Sequence, residues 1–406
     1  MASAFFEELL STPTAPYRED QVRALLEREL SRLGVPHFRD PHGNLIAGVR
    51  SIADYRKLVL QKSKEPVRFF IAHMDHPGFH GVKWRSPNEL EVQWHGGSPV
   101  QHCEGAPVWL DRTGLEVLRR LDGSFFKGTL TECKLAEHGK ALSSAVVRLA
   151  DSSLHQFSHG KAEILFGGFG FRAPLWKQYG CYYTQAADDL VGCYAMVRAA
   201  EKLFKKTKKS KRSKTRPPFL ALFSRAEEVG FVGTIAHFEL GWLRGAQRPV
   251  IAVSLETSRT LPGAEIGKGP VVRLGDRNGV FDPTGLKVLT DLAAKHLPPS
   301  ADGTRHQRRI MDGGSCEATA ATAYGLKAIG ISVPLGNYHN QGFQGGPDCP
   351  NPEGPAPEFV HESDVEGLLT LVHAVMTPGL PWGDPWGELR ARFKKSVIGL
   401  KKHASK

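Results

Sequence analysis

The placement of acidic and histidine residues constrains this chain more than any other feature. His73-Met74-Asp75 follows the apolar run from Val67 to Ala72, Glu227-Glu228 follows Phe219 to Phe223, and Glu256 closes the run from Val250 to Leu255. Asp188-Asp189 opens an amphipathic stretch, and His339 follows a strand and the turn Gly336-Asn337. A charge at the end of a burial-type strand needs a partner. In an open α/β sheet the C-terminal strand ends share one crevice, so these residues can partner each other there.

The surrounding pattern agrees. Apolar spacing predicts helices over Glu19–Leu33, Asp189–Phe204, Pro283–His296 and Cys316–Tyr324, and Ser363-Asp364-Val365-Glu366 reads as a capping box for another ending near Val375. Strands are expected at Asn44–Val49, Val67–Ala72, Phe219–Phe223, Val250–Leu255 and Lys327–Val333. Alternation of this kind predicts an α/β fold with a mostly parallel sheet and helices on both faces. Between about Lys83 and Leu175 the texture changes to short alternating strands broken by Gly, Pro and Asp. We therefore expect residues 1–82 and 176–406 to form the α/β domain, with 83–175 an inserted small, barrel-like β domain. Trp84, Trp94, Phe125 and Phe126 either fill the insert's own core or cover a self-association surface.

Composition narrows the classes. The net charge of +11 suggests nucleic acid, but nine of the 53 basic residues lie between Lys202 and Arg216. Setting that run aside leaves 44 basic against 42 acidic residues, so the charge is one solvated loop rather than a basic face, and no specific nucleic-acid partner is expected. No stretch approaches the ~20 apolar residues of a membrane helix. The start, Met1 to Glu8, has acids where a signal peptide has a basic segment. Six separated cysteines without a C-x-x-C pair suit free thiols, and the cytoplasm is the expected compartment.

Two imidazoles and several carboxylates suit two divalent ions sharing one carboxylate, with one glutamate spare as a base. His73 and Asp75, two apart in an extended segment, point the same way, so Asp75 can fix the imidazole while His73 ligates. Of the adjacent Glu227 and Glu228, one can ligate and the other take a proton from attacking water. Asp188-Asp189 could equally complement a helix dipole.

With Asp40-Pro41-His42-Gly43-Asn44-Leu45-Ile46, Gly267-Lys268-Gly269-Pro270 and Gly313-Gly314 added, the chain resembles the cocatalytic dimetal aminopeptidases. It is most similar to metallopeptidase family 42, the deblocking, glutamyl and TET-type enzymes, whose long insert also lies between the H-x-D motif and the Asp-Asp pair. The resemblance implies Asp188 as bridging ligand, His73 and Glu256 at one metal, Glu228 and His339 at the other, Glu227 as general base and Asp75 as orienter of His73. It also implies a homo-oligomer. Glu256 stands where the family usually has Asp, Leu190 where it has Arg, and Ser315-Cys316-Glu317 where it has Thr-Asp-Ala; the Asn340–Phe359 segment is also longer than usual.

The expected activity is removal of N-terminal residues from peptides, with two zinc ions, or cobalt or manganese, per chain. A deacylase using the same centre would need a cation for the substrate carboxylate, for which Arg225, Arg259 and Arg305 are available. A non-catalytic assembly or binding protein is the remaining alternative.

Overall fold

The computed structural model describes residues 3–114, 125–205, 218–301, 303 and 305–404, so most of the basic run lies outside the described residues. In chain order, α1 (Ala4–Leu10) and α2 (Asp20–Arg32) precede β1 (His37–Arg39), β2 (Leu45–Ala47), α3 (Ile52–Leu60) and β3 (Val67–His73). The insert holds β4 (Gly78–Ser86), β5 (Glu89–His95), β6 (Pro107–Arg112), β7 (Phe126–Leu135), β8 (Leu142–Leu149), α4 (Ser153–Phe157) and β9 (Leu165–Phe169). Then follow β10 (Leu175–Gln178), β11 (Cys181–Thr184), α5 (Leu190–Phe204), β12 (Phe219–Ser224), α6 (Val232–Glu239), β13 (Val250–Arg259), β14 (Val271–Asp276) and β15 (Gly279–Val280). The chain continues through α7 (Pro283–His296), β16 (Gln307–Ile310), α8 (Glu317–Ala323), β17 (Lys327–Gly336), β18 (Glu358–His361), α9 (Glu362–Val375) and α10 (Gly387–Ala404).

The main sheet runs β1-β2-β12-β3-β13-β17-β18-β11-β10, with β14 to β16 branching from β17. Its centre, β12-β3-β13-β17, is parallel, whereas its flanking pairs are antiparallel. β3 and β12 are buried along their whole length, as strands covered on both faces must be. α5 and α8 both touch β13 from separate helix groups: α5 packs with α1, α2 and α9, and α8 with α6. The sheet is thus parallel where helical crossovers connect it and antiparallel at its margins.

The insert closes into a six-stranded barrel, β4-β5-β8-β7-β6-β9. Trp94 and Phe126 fill its core with Trp84 packed against them, while Phe125 joins Trp109, Phe166 and Ala15 in a smaller cluster. Trp94 and Phe126 are thus spent on the barrel's own core, and Phe125 packs where the barrel meets Ala15 of the N-terminal segment. The barrel begins at Gly78, so a boundary at residue 83 would fall inside β4, and it ends at Phe169 before β10 returns to the main sheet. The helix expected to start from a Ser363 capping box begins two residues earlier, with the His361 side chain as its cap, and Asp364 accepts from Gly267 N and Gly269 N, both at 2.7 Å. Among the described residues, no helix is long and apolar enough to cross a membrane.

β3 is anchored at its base by a fully buried Arg68. Its guanidinium pairs with Glu65 and donates to Pro66 O (2.8 Å), Val375 O (3.3 Å) and Thr377 O (2.9 Å). Arg68→Met keeps the stem but strands these acceptors, so it should destabilise the fold by about 2–4 kcal/mol, read from urea unfolding; a loss below about 0.5 kcal/mol would contradict the anchoring role.

Candidate metal centre

Strand register brings the sequence motifs together. Ser224 of β12 lies opposite His73, and Ser254 of β13 opposite Ile71, which puts Glu256 level with His73. His339 follows the end of β17 by three residues, on the same sheet edge. Asp188 arrives from β11, whose Thr184 pairs with Glu358 of β18.

Three overlapping triplets result: His73, Asp188 and Glu256; Asp188, Glu228 and His339; and His73, Glu227 and Glu228. Within each, one potential ligand atom per residue lies within 4.8 Å of the others. His73 Nε2 is 3.4 Å from Asp188 Oδ1 and 3.8 Å from Glu227 Oε2, and His339 Nε2 is 3.0 Å from Glu228 Oε2. Asp188 Oδ1, Glu228 Oε1 and His339 Nε2 are buried without a hydrogen-bond partner. Buried donors and acceptors are normally satisfied, so unpaired atoms converging from several strands fit cations. Cations held by the first two triplets would share Asp188.

Backbone clamps hold the loops. The Asp75 carboxylate accepts from Glu227 N (2.9 Å) and Glu228 N (3.1 Å). Its nearer oxygen is 3.7 Å from His73 Nδ1, whose closer partner is the Asp75 carbonyl at 3.1 Å. Asp75 thus positions the glutamate pair as much as the imidazole. Asp189 divides from its neighbour: it caps α5 through Gly192 N (3.1 Å) and accepts from Thr257 Oγ1 (3.0 Å), while Asp188 faces the cluster. Asp189 takes the helix-start role, and Asp188 stands among the candidate ligands.

Sequence reasoning missed several carboxylates. Glu358, fully buried, accepts from Ala187 N (2.8 Å), Asp188 N (3.1 Å) and His339 N (2.9 Å), tying two ligand segments together. Glu19, also fully buried, accepts from Ala226 N (3.0 Å) and pairs with Arg225 (2.8 Å), fixing the turn before Glu227. Glu317 accepts from Ser224 Oγ at 3.2 Å, beside the cluster. His76 Nδ1 donates to Asp188 O at 3.1 Å, and its Nε2 lies 3.1 Å from Asn340 Oδ1. The only sequence signal for Glu358 was an acid opening the apolar Phe359-Val360.

Of the arginines considered as carboxylate grips, Arg225 is paired with Glu19 and Arg259 with Asp312 (2.6 Å), and Arg305 lines a separate cavity with Lys268 and His296. The Asn340–Phe359 segment folds back on itself through Gly342 N to Gly354 O (2.8 Å). With Trp109 and Phe171 it lines a cavity of about 760 Å³ that none of the clustered ligand residues borders.

Burial and mutual repulsion shape the protonation of the metal-free cluster. Burial pushes Glu227 and Glu228 well above the usual carboxylate range, against the pull of His73. Burial also carries Glu358 up to about 7, despite its backbone donors. Burial alone would lower His73, but Glu227, Asp188 and Asp75 raise it well above an ordinary imidazole.

Residues 171–342 match the M42 glutamyl aminopeptidase family, a span that contains Asp188, Glu227, Glu228, Glu256 and His339. That span is under half of the chain, and over it the chain is similar to the family. Among solved structures it is similar to an aminopeptidase from Desulfurococcus kamchatkensis: 19% identity, 93% of this chain and 95% of that one, TM-score 0.67. It is also similar to the Pyrococcus horikoshii TET1 peptidase, at 19% identity over 92% of this chain and 98% of that one, TM-score 0.64. A TET aminopeptidase from a marine sediment archaeon of the Thaumarchaeota matches at 16% identity, over 92% and 95% of the two chains, TM-score 0.66. The mixed sheet with a barrel insert is therefore the M42/TET fold.

Two outcomes follow. A Cβ on Gly97, in the β5–β6 connection, would lie 1.9 Å from His339 Nδ1. Gly97→Ala should displace His339 and lower divalent-ion affinity at least tenfold with little loss of fold, read by titration against a chelator; unchanged affinity would contradict the packing. Second, carboxyl groups raised in the folded state stabilise it below their unfolded pKa and lose that contribution as pH rises through the folded value. The Tm gain from added zinc over chelator-treated protein should therefore be larger at pH 8 than at pH 5; an equal or reversed difference would contradict this electrostatic picture.

Proposed function

We propose that this chain is a metal-dependent aminopeptidase that removes N-terminal residues from peptides. The observation that carries this reading is that Asp188 joins two of the three overlapping ligand triplets, and those two together leave Glu227, a member only of the third, free to act as base. His73 and Glu256 would complete one site and Glu228 and His339 the other, with zinc the first choice and cobalt or manganese the alternatives for such nitrogen and oxygen donors. Bound there, two divalent ions supply Lewis acidity and a water made acidic enough to react near neutral pH.

The chain's own residues account for the rest. Glu227 takes the proton of the attacking water on its carboxylate and returns it to the departing amine. Asp75 holds Glu227 in place through its backbone N–H. Asp188, Asp189, Glu227, Glu228 and Glu256 carry more negative charge than two divalent ions offset, which favours a substrate with a cationic α-amine. The deacylase alternative has lost two of its arginine grips to Glu19 and Asp312. The TET1 relative can assemble into a tetrahedron or a large octahedral shell, and we propose a homo-oligomer here too.

Elemental analysis and kinetics test the roles together. Wild-type protein should hold close to two ions per chain, Asp188→Ala should lose ions from both sites, and Glu227→Gln should keep both while kcat falls about 10²–10⁴-fold. A single ion in Glu227→Gln protein would make Glu227 a ligand. Leucine amide should be cleaved faster than N-acetyl-leucine under equal metal loading; the reverse order would establish the deacylase instead, and no turnover of either would favour a non-catalytic role.

A further inference from the structure

Behind Glu256 lies a cation that the proposed chemistry does not use. Arg273 sits on β14 and is almost wholly buried. It pairs in register with Gly330 of β17, and the missing side chain there leaves room for its stem, with Cβ and Cδ each 3.2 Å from where a Gly330 Cβ would be. The guanidinium thereby reaches β13, one strand further, where Nη1 lies 3.6 Å from Glu256 Oε1. Its Nη2 pairs with Asp276, which also accepts from Thr319 Oγ1 at 2.9 Å, while Nε and Nη1 have no hydrogen-bond partner. Glu256 Oε1 also accepts from Ser254 Oγ at 3.2 Å. One oxygen of this ligand candidate therefore has a hydroxyl and a buried cation already against it.

We propose that Arg273 is a positioning residue that sets the metal affinity of the His73–Asp188–Glu256 site, an inference that rests on the dimetal reading. Two effects act in the same direction. With Ser254 Oγ donating to Oε1 and the guanidinium charge 3.6 Å from it, Glu256 would offer a metal its other oxygen, binding through one oxygen rather than two. The guanidinium charge also opposes a second cation a few ångströms beyond the carboxylate, with little water to screen it. The site containing Glu256 is therefore the weaker and more exchangeable of the two. The length of Glu256 is part of the device, because an aspartate at this position would end one methylene further from Arg273.

The test is zinc binding by competition with a chromogenic chelator, read without reference to turnover. Wild-type protein should bind two ions with separable affinities. Arg273→Met should tighten the weaker site at least tenfold and leave the stronger within about threefold. Because Arg273→Met leaves the buried Asp276 without its counter-charge, Arg273→Met/Asp276→Asn is the second variant and should show the same tightening. In a Glu256→Asp background, Arg273→Met should tighten the weaker site less than it does beside Glu256, since only the charge effect remains. Folded double-variant protein with an unchanged or weakened second site would overturn the inference while leaving the dimetal reading intact. Wild-type protein that binds fewer than two ions would instead overturn the dimetal reading, and the inference with it.

Discussion

The structure turns on unscreened negative charge at one edge of a parallel sheet. Asp188, Glu228 and Glu256, with Glu227 beside them, are brought within reach of one another where water is largely excluded. Carboxylates placed so close repel strongly in a medium of low effective dielectric, and such an arrangement persists only if protons or cations neutralise it. The two histidines are too few to do so. The upward shift of Glu227 and Glu228 in the metal-free protein expresses that cost, and two divalent ions would remove it.

The remaining architecture holds this edge rigid. Asp75 spends both oxygens on the Glu227 and Glu228 backbones, Glu19 fixes the preceding turn, and Glu358 joins the Asp188 and His339 segments. Buried carboxylates satisfied by backbone N–H groups act as staples across strands distant in sequence. The barrel contributes directly as well, since Gly97 lies against the His339 ring. His339 itself is presented by a turn in which Asn337, His339 and Asn340 all have positive φ, and Asn337 stabilises it by donating to Gly345 O and Pro357 O. An asparagine tolerates the left-handed region better than most residues, because its short side chain can bond locally.

These layers differed in how far they could be read from the amino-acid order. Ligand candidates stood out because a charge ending a run such as Val250–Leu255 contradicts the burial of that run, and the strands themselves were plain for the same reason. Pro283–His296 was legible as a helix to its ends, with a proline at its start and basic residues in its last turn. The antiparallel margins were not legible, because β1, β10 and β18 are only three or four residues long and carry no period. The roles of Glu19 and Glu358 went unnoticed because a staple is defined by what it meets in space, and its partners lie up to 207 positions away. The α9 cap was misplaced because a histidine two residues before Ser363 does the capping: His361 Nδ1 accepts from Ser363 N and lies 2.8 Å from Ser363 Oγ.

The central claim is that this edge holds two cations sharing Asp188. The most direct measurement is an anomalous difference map at the zinc edge from crystals of zinc-loaded protein. Two peaks per chain should flank the Asp188 carboxylate, one beside His73 and Glu256, the other beside Glu228 and His339. A single peak, or two peaks that do not share Asp188, would contradict the account.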